Sequence, residues 1–384
     1  MATKEYADGS QTAIEKLEAK RAGHFVLGPI FEDPSATQYL KDFPAHPGER
    51  LLFRKGIPTT LKYKPAVVKR HWAGHYPEWN DWVKRMSAAK ETVWKELGIY
   101  DAVLMSTVHY PYDTDFLHAA LHFWSRSTNY FHFSFRMMGP TLLDIGALLG
   151  LKSARAEIND SSDCSRVNWD LNLIKNASYT SYLYQCRKLS GPVSKQEYVA
   201  FLLSWIYHCL ICTRADKITK AYLGLANTLA SGRLMNLAAF VLSSLYRGCN
   251  DLVESSFAHG GGSFWVLQLW LSAYFPEFNP TPLADEFPAV GFKLLRPRLL
   301  HSATECFNLF FHLKDVHPSA SFTPFHYFNS LSGWLGEAIA NPVAHGDLWG
   351  SYLTCRDLHY GVFLEHNKNS MCSTEPYNPQ FLAR

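Results

Sequence analysis

Four kinds of pattern in this sequence set residue types at spacings that chemistry uses. His118 and His122 lie four apart, as do His71 and His75, so each pair faces one side of a helix and offers two nitrogens to a metal ion. Neither pair carries the H-E-x-x-H glutamate that activates water in metalloproteases. Cys209 and Cys212 form a C-x-x-C beside His208. A structural zinc site takes about four ligands, usually from two such pairs, and no second pair follows. Both cysteines fall in an apolar helical run, where a free thiol packs as a small hydrophobe. Gly260-Gly261-Gly262 suggests a phosphate cradle, but a P-loop needs Lys-Ser/Thr after its glycines and a strand before them. The residues that follow, Phe264 to Trp270, read as apolar helix, so the triplet is better explained as a turn that lets a helix pack closely. The chain has no G-x-S-x-G elbow, no G-x-G-x-x-G and no kinase signature. No catalytic residue, cofactor-binding residue or metal ligand is assigned.

The fourth is a basic segment, residues 49–90, with ten Lys or Arg (among them Lys62, Lys64, Lys69 and Arg70) against Glu49, Glu78 and Asp81. Cations interleaved with Trp72, Tyr76, Trp79 and Trp82 suit a nucleic-acid surface, because cations hold phosphates and rings stack on bases. Trp79 and Trp82, however, sit at helical core spacing, which favours a solvated basic face above a buried tryptophan stripe. If nucleic acid is bound here, Lys62, Lys64, Lys69 and Arg70 are the contacts expected.

The elements that position these residues read as mainly α-helical. Pro77 suits a first helical position. Behind it Trp79, Trp82, Val83, Met86, Val93, Trp94 and Leu97 form one apolar stripe that stops at Gly98. A second helix starts at Asp113 or Thr114. Period two appears at Tyr130 to Phe135, where Phe131, Phe133 and Phe135 share a face, so one small β element is expected near 130–140. Thr141-x-x-Asp144 resembles a capping box, launching a short helix that ends at Gly150. Ser194-x-x-Glu197 reads as a second box. Residues 151–193 are polar and read as a long loop. Residues 221–280 carry five charged side chains, too few for an amphipathic face, so their helices belong in the middle of a bundle. A final helical block falls at 301–315 and 346–356.

Hydrophobic residues at 47% supply ample core, and a net charge of +3 does not by itself imply an anionic partner. Eight scattered cysteines and a polar start with Glu5, Asp8 and Glu15 fit a reducing compartment without a leader peptide. The longest apolar run, Val199 to Cys212, is shorter than the roughly 20 residues of a membrane span, so no membrane partner is expected. Residues 1–48, interrupted by Pro29, Pro34, Pro44 and Pro47, read as a partly disordered arm, residues 49–384 as one helical domain, and 281–300 as a linker within it.

Asp115-Phe116-Leu117, Trp124, Thr128 to Phe133, Thr141-Leu142-Leu143-Asp144-Ile145 and Leu148 to Leu151 follow in the order and spacing of the opening block of the plant mobile domain. Leu242 to Arg247, Gly261 to Trp270, Trp349 to Tyr360 and Tyr377-Asn378-Pro379 resemble its later segments. The chain therefore resembles the plant mobile domain family over roughly residues 75–384. The residues that carry the resemblance (Trp124, Thr128, Phe131, Phe133, Thr141, Leu142, Asp144, Gly150, Tyr246, Arg247, Gly261, Gln268 and Trp270) are expected to be structural. Two departures are the Arg136-Met137-Met138-Gly139-Pro140 turn, which lacks the family's Gly-Glu-Met, and the ending at Arg384, where the family usually continues, so a truncated or degraded copy is expected. Family members are often labelled aminotransferase-like. A pyridoxal phosphate enzyme needs a Schiff-base lysine and a partner for the ring nitrogen, which the residues do not supply, so no enzyme activity and no cofactor are expected. The resemblance implies a nuclear protein similar to the maintenance-of-meristems proteins. Those act in transposon silencing, genome integrity and meristem maintenance, partly through a protein phosphatase. Protein partners are thus expected, with DNA as the alternative.

Overall fold

In the computed structural model the described residues are 77–126, 128–133, 137–153, 177–213, 217–254, 261–275, 278, 290–295, 301–316, 337, 340–360 and 373–379. Lys62, Lys64, Lys69, Arg70, the His71/His75 pair, Trp72, Tyr76 and the arm at 1–48 lie outside them. So does most of the 281–300 segment, in which Val290–Leu294 forms a short helix with Phe292 and Leu294 buried.

The chain is mainly α with small antiparallel sheets, as the periodicities predict. Helix α1 (Pro77–Leu97) buries Trp79, Trp82, Val83, Met86, Trp94 and Leu97, so the tryptophan stripe is core. It ends at Gly98, whose φ of +67° is a left-handed conformation that a side chain would strain. After α2 (Tyr100–Met105), α3 (Thr114–Leu121) starts at Asp113, whose carboxylate accepts from the Phe116 N–H.

The small β element is a three-stranded meander. Strand β2 (Tyr130–His132) pairs with β1 (Trp124–Ser125) through Trp124 opposite Phe131, and with β3 (Met137–Met138) through Phe131 opposite Met138. Phe131 and Phe133 stack on the same side, ring centres 5.6 Å apart. Helix α4 (Leu142–Leu149) carries the full Thr141–Asp144 capping box and closes at Gly150, φ +71°.

Two of the expectations change here. The 151–193 segment is not all loop: after β4 (Ala177–Ser178), α5 (Tyr179–Cys186) is capped by Ser178. It buries only Tyr182 and Leu183, too few positions to leave a period in the sequence. Helix α6 (Lys195–Trp205) has the Ser194 half of its capping box, but the Glu197 carboxylate turns away to Arg85 and the Lys188 N–H.

A π-helical turn, Ile206–Leu210, extends α6. Strand β5 (Lys217–Ile218) pairs with β4. Helices α7 (Leu223–Ala230), α8 (Leu237–Glu254) and α9 (Phe264–Tyr274) follow, and every α9 residue from Phe264 to Ala273 is buried, as a mid-bundle helix requires. Close packing explains the glycines: a Cβ on Gly248 would come within 2.4 Å of the Gly261 carbonyl oxygen, and Gly262 adopts φ +144° against it. Helix α10 is Val290–Leu294, α11 is Ala303–Val316 and α12 is Gly346–Leu353. The chain after α12 is a hairpin rather than helix: β6 (Arg356–Tyr360) pairs antiparallel with β7 (Ser373–Tyr377), and Ser243 on α8 donates to the Leu358 carbonyl at 3.1 Å. Among the described residues, no helix is long and apolar enough to cross a membrane.

Candidate functional site

The residues expected to be structural converge around the meander. Trp124 lies edge-on to Phe131 and donates its indole N–H to Asn250 Oδ1 at 2.8 Å. Phe131 stacks on Trp270, and Phe133 packs on Phe131, Phe275 and Phe310. Thr128 Oγ1 pairs with His132 Nε2 at 2.9 Å. Tyr246 donates to the Pro140 carbonyl at 2.7 Å, and the Leu142 N–H donates to the Tyr377 hydroxyl. Gln268 ties α9 to the start of α3, accepting from the Asp113 N–H at 2.8 Å and donating to the Pro111 carbonyl at 3.1 Å. Asp144 accepts from the Thr141 N–H and hydroxyl and from the Tyr274 hydroxyl, each at 2.7 Å. Its complete burial still raises the carboxyl to about 6, against the pull of those donors.

Sequence reading missed the polar clasp at the centre of this cluster. Asn129, at φ +59°, and Asn250 both donate to Glu375 Oε2, at 3.2 and 3.0 Å, and Asn250 also donates to Asn129 Oδ1. Arg247 approaches the other Glu375 oxygen at 4.0 Å and pairs with Asp251 at 3.0 Å. Burial pushes Glu375 above its ordinary range, while Asn129 and Arg247 oppose it. In the sequence Asn129 shows only as an Asn after Thr128, a residue type that tolerates the left-handed conformation it takes here.

Among the described residues, the spacings that suggested chemistry are occupied by packing. The His118 and His122 rings lie 4.9 Å apart at 45°, and His122 Nδ1 contacts the His118 carbonyl at 2.8 Å; burial lowers the His122 pKa. Cys212, at φ +51°, directs its thiol to the His208 carbonyl at 3.3 Å, and Trp265 donates to the Cys209 carbonyl at 2.8 Å. Among the described residues, no group of three or more His, Cys, Asp or Glu is placed to hold a metal ion. Of the basic segment's described cations, Arg85 forks onto the buried Glu197 and Lys90 sits 5.1 Å over the Tyr198 ring; Lys84 is exposed.

One open-sided hollow of about 340 Å³ lies where α1, α5 and α6 meet, and its enclosed part is no larger than a water molecule. Glu78 and Trp79 come from α1, Tyr179, Thr180, Leu183 and Tyr184 from α5, and Ser204 and His208 from α6 and its π turn. The turn's wider i→i+5 bond, Ile211 N–H to Ile206 oxygen at 2.9 Å, shifts the helix phase just where His208 reaches the hollow. Tyr179 stands perpendicular to His208, ring centres 4.2 Å apart, and is fixed by its hydroxyl on the Tyr207 carbonyl at 2.9 Å. At the rim the Tyr184 hydroxyl donates to Glu78 Oε1 at 2.9 Å. The Glu78 N–H and Tyr184 hold the Glu78 carboxyl below the usual range. The loop from α5 to α6 is pinned by Arg187 Nη1 on the Glu78 carbonyl and Arg85 Nη1 on the Gly191 carbonyl, and it leaves Leu189 82% exposed.

No curated protein and no solved structure matches the chain. Residues 98–307, more than half of it, match the family model described as plant mobile domain. That range contains the 115–151, 242–247 and 261–270 segments, whose side chains pack on one another as described above. On that match, the chain belongs to the plant mobile domain family.

Proposed function

We propose that this mobile-element-related plant protein is a non-catalytic nuclear scaffold that works by binding other proteins, a protein phosphatase among them. The processes it would serve are transposon silencing, genome integrity or meristem maintenance. The observation that carries this reading is the use made of the family's motif residues. Trp124, Thr141, Asp144, Tyr246, Gln268 and Trp270 spend their polar groups and rings on the fold's own contacts. A second support concerns the aminotransferase-like label: every lysine whose side chain is described is exposed or half-buried, unlike a Schiff-base lysine enclosed with its cofactor. Proximity labelling with a fusion of the full chain in plant nuclei tests the scaffold reading. Reproducible enrichment of a phosphatase and other nuclear proteins supports it; a label pattern equal to that of a free labelling enzyme overturns it.

The alternative, a nucleic-acid-binding accessory of a mobile element, is favoured by one observation, the excess of seven positive charges over residues 49–90. Duplex affinity would then fall by about 0.9 log units per phosphate contact per log unit of salt. Charge reversal at Lys62, Lys64, Lys69 and Arg70 would flatten that slope.

A further inference from the structure

We propose that the hollow between α1, α5 and α6 receives an arginine side chain of a protein partner. The inference rests on the scaffold reading and names the chemistry of its binding site. The enclosed space holds no more than a water and is too small for a cofactor, so a partner's side chain would lie flat across the open side. The Glu78 carboxylate is held at the rim by its own backbone N–H and by the Tyr184 hydroxyl on Oε1, with the Arg187 charge nearby. A carboxylate has about four acceptor positions, so two such donors leave capacity for a guanidinium. Tyr184 is 56% exposed, an unusual position for a large ring, and Tyr179 lines the hollow beside it. Guanidinium planes stack on such rings, whereas an ammonium group offers no plane to stack.

Charge on this face agrees. Glu78 and Asp81, the latter with 68% of its side chain exposed, lie three residues apart on α1. Two cations of the same face are committed to the fold: Arg187 to the Glu78 carbonyl and Asp81, and Arg85 to Glu197. Those same cations pin the adjoining loop to α1, so little ordering of that loop is needed on binding.

The test is a titration of the full chain with N-acetyl-arginine methylamide, followed by the NMR signal of the Trp79 indole N–H. Its neutral isostere, the citrulline methylamide, and the lysine methylamide serve as comparisons. A saturable shift is expected with the arginine probe. It should weaken by about three- to fivefold in Glu78→Gln, the scale of an exposed charge pair, and weaken likewise in Tyr184→Ala. The citrulline and lysine probes should bind more weakly than arginine. Circular dichroism checks that both variants fold. No saturable shift, an equal response to citrulline, an equal response to lysine, or an unchanged Glu78→Gln titration each overturns the proposal. If nuclear partners are still labelled while the probe fails, the arginine assignment falls and the scaffold reading stands. If the probe binds while no partner is labelled, the arginine site stands and the scaffold reading falls.

Discussion

Arg85 and Glu197, 112 residues apart, meet in a two-pronged ion pair: Nε to Oε1 at 2.9 Å and Nη2 to Oε2 at 3.0 Å. The Glu197 side chain is 1% exposed and that of Arg85 18%. Burial alone would push Glu197 up, but Arg85 and the Lys188 N–H pull it below its ordinary value. A depressed carboxyl adds stability above its unfolded pKa and loses it as the pH falls through the folded one. Arg85→Ala should therefore lower the melting temperature at pH 7 more than at pH 3, while Lys84→Ala, at an exposed position on the same helix, should do little. Thermal melts of both variants across pH check this. DNA affinity, if any is measured, should not depend on Arg85.

Trp79 and Trp82 are expected to behave as core. Trp79 stacks on Phe201 at 5.0 Å and donates to Ser106 Oγ at 3.0 Å. Replacing either by Ala should cost about 3–5 kcal/mol in denaturant unfolding. Selective loss of a binding activity at unchanged stability would contradict that assignment.

Asp101 makes a pH prediction of opposite sign to Glu197. Its Oδ1 is buried with no hydrogen-bond partner among the described residues, and burial raises the carboxyl from 3.8 to about 6, with Lys95 opposing. The folded protein then binds this proton more tightly than the unfolded chain, so this group's contribution to stability falls as the pH rises from about 4 to about 6. Asp101→Asn should stabilise the protein at pH 7.5 by about 1–2 kcal/mol, below the roughly 3 kcal/mol that two pKa units represent, because the group is only partly buried. At pH 4 the gain should vanish. Urea midpoints at the two pH values measure it.

The family model ends short of the folded unit on both sides. Helix α1 lies before residue 98, and the β6–β7 hairpin lies after residue 307. Yet Trp94 donates to Tyr198, Glu375 closes the Asn129–Asn250 clasp, and Tyr377 donates to the Tyr352 carbonyl at 2.7 Å. A protein cut to residues 98–307 should expose apolar surface, bind a hydrophobic dye and lack dispersed NMR signals. Residues 77–384 should fold. A well-dispersed spectrum from the shorter piece would show that the flanking elements are dispensable.

How much of this the sequence carried depended on range. The Trp79 to Leu97 stripe, the Thr141–Asp144 box, the Phe131/Phe133 alternation and the stop at Gly150 are written within a few residues of one another, and each appears in the structure. The β6–β7 hairpin and the Glu375 clasp are not local: Glu375 meets Asn129 across 246 residues, a pairing that no periodicity records. Helix α5 failed for another reason, since most of its faces are polar or half-exposed. The hollow inherits both problems. Tyr179 and Tyr184 sat in that unread helix, and Glu78 looked like one more charge in a basic segment.

The π turn at Ile206–Leu210 acts as a phase shifter in the chain. An α-helix advances about 100° per residue, so the one extra residue held in the wide loop between Ile206 and Ile211 sets which side chains after it point inward. The wide turn holds one residue more than an α turn needs between the same two points, so deleting a residue from 206–210 would let an ordinary i→i+4 turn span that distance and leave Ile211 in place. Cys212 would keep the left-handed corner from which its carbonyl receives the Gly262 N–H at 3.0 Å, while the side chains inside the turn, which include His208, would be redistributed. The extra residue thus sets which side chains the turn itself offers to the hollow, while the chain on either side of it holds its position.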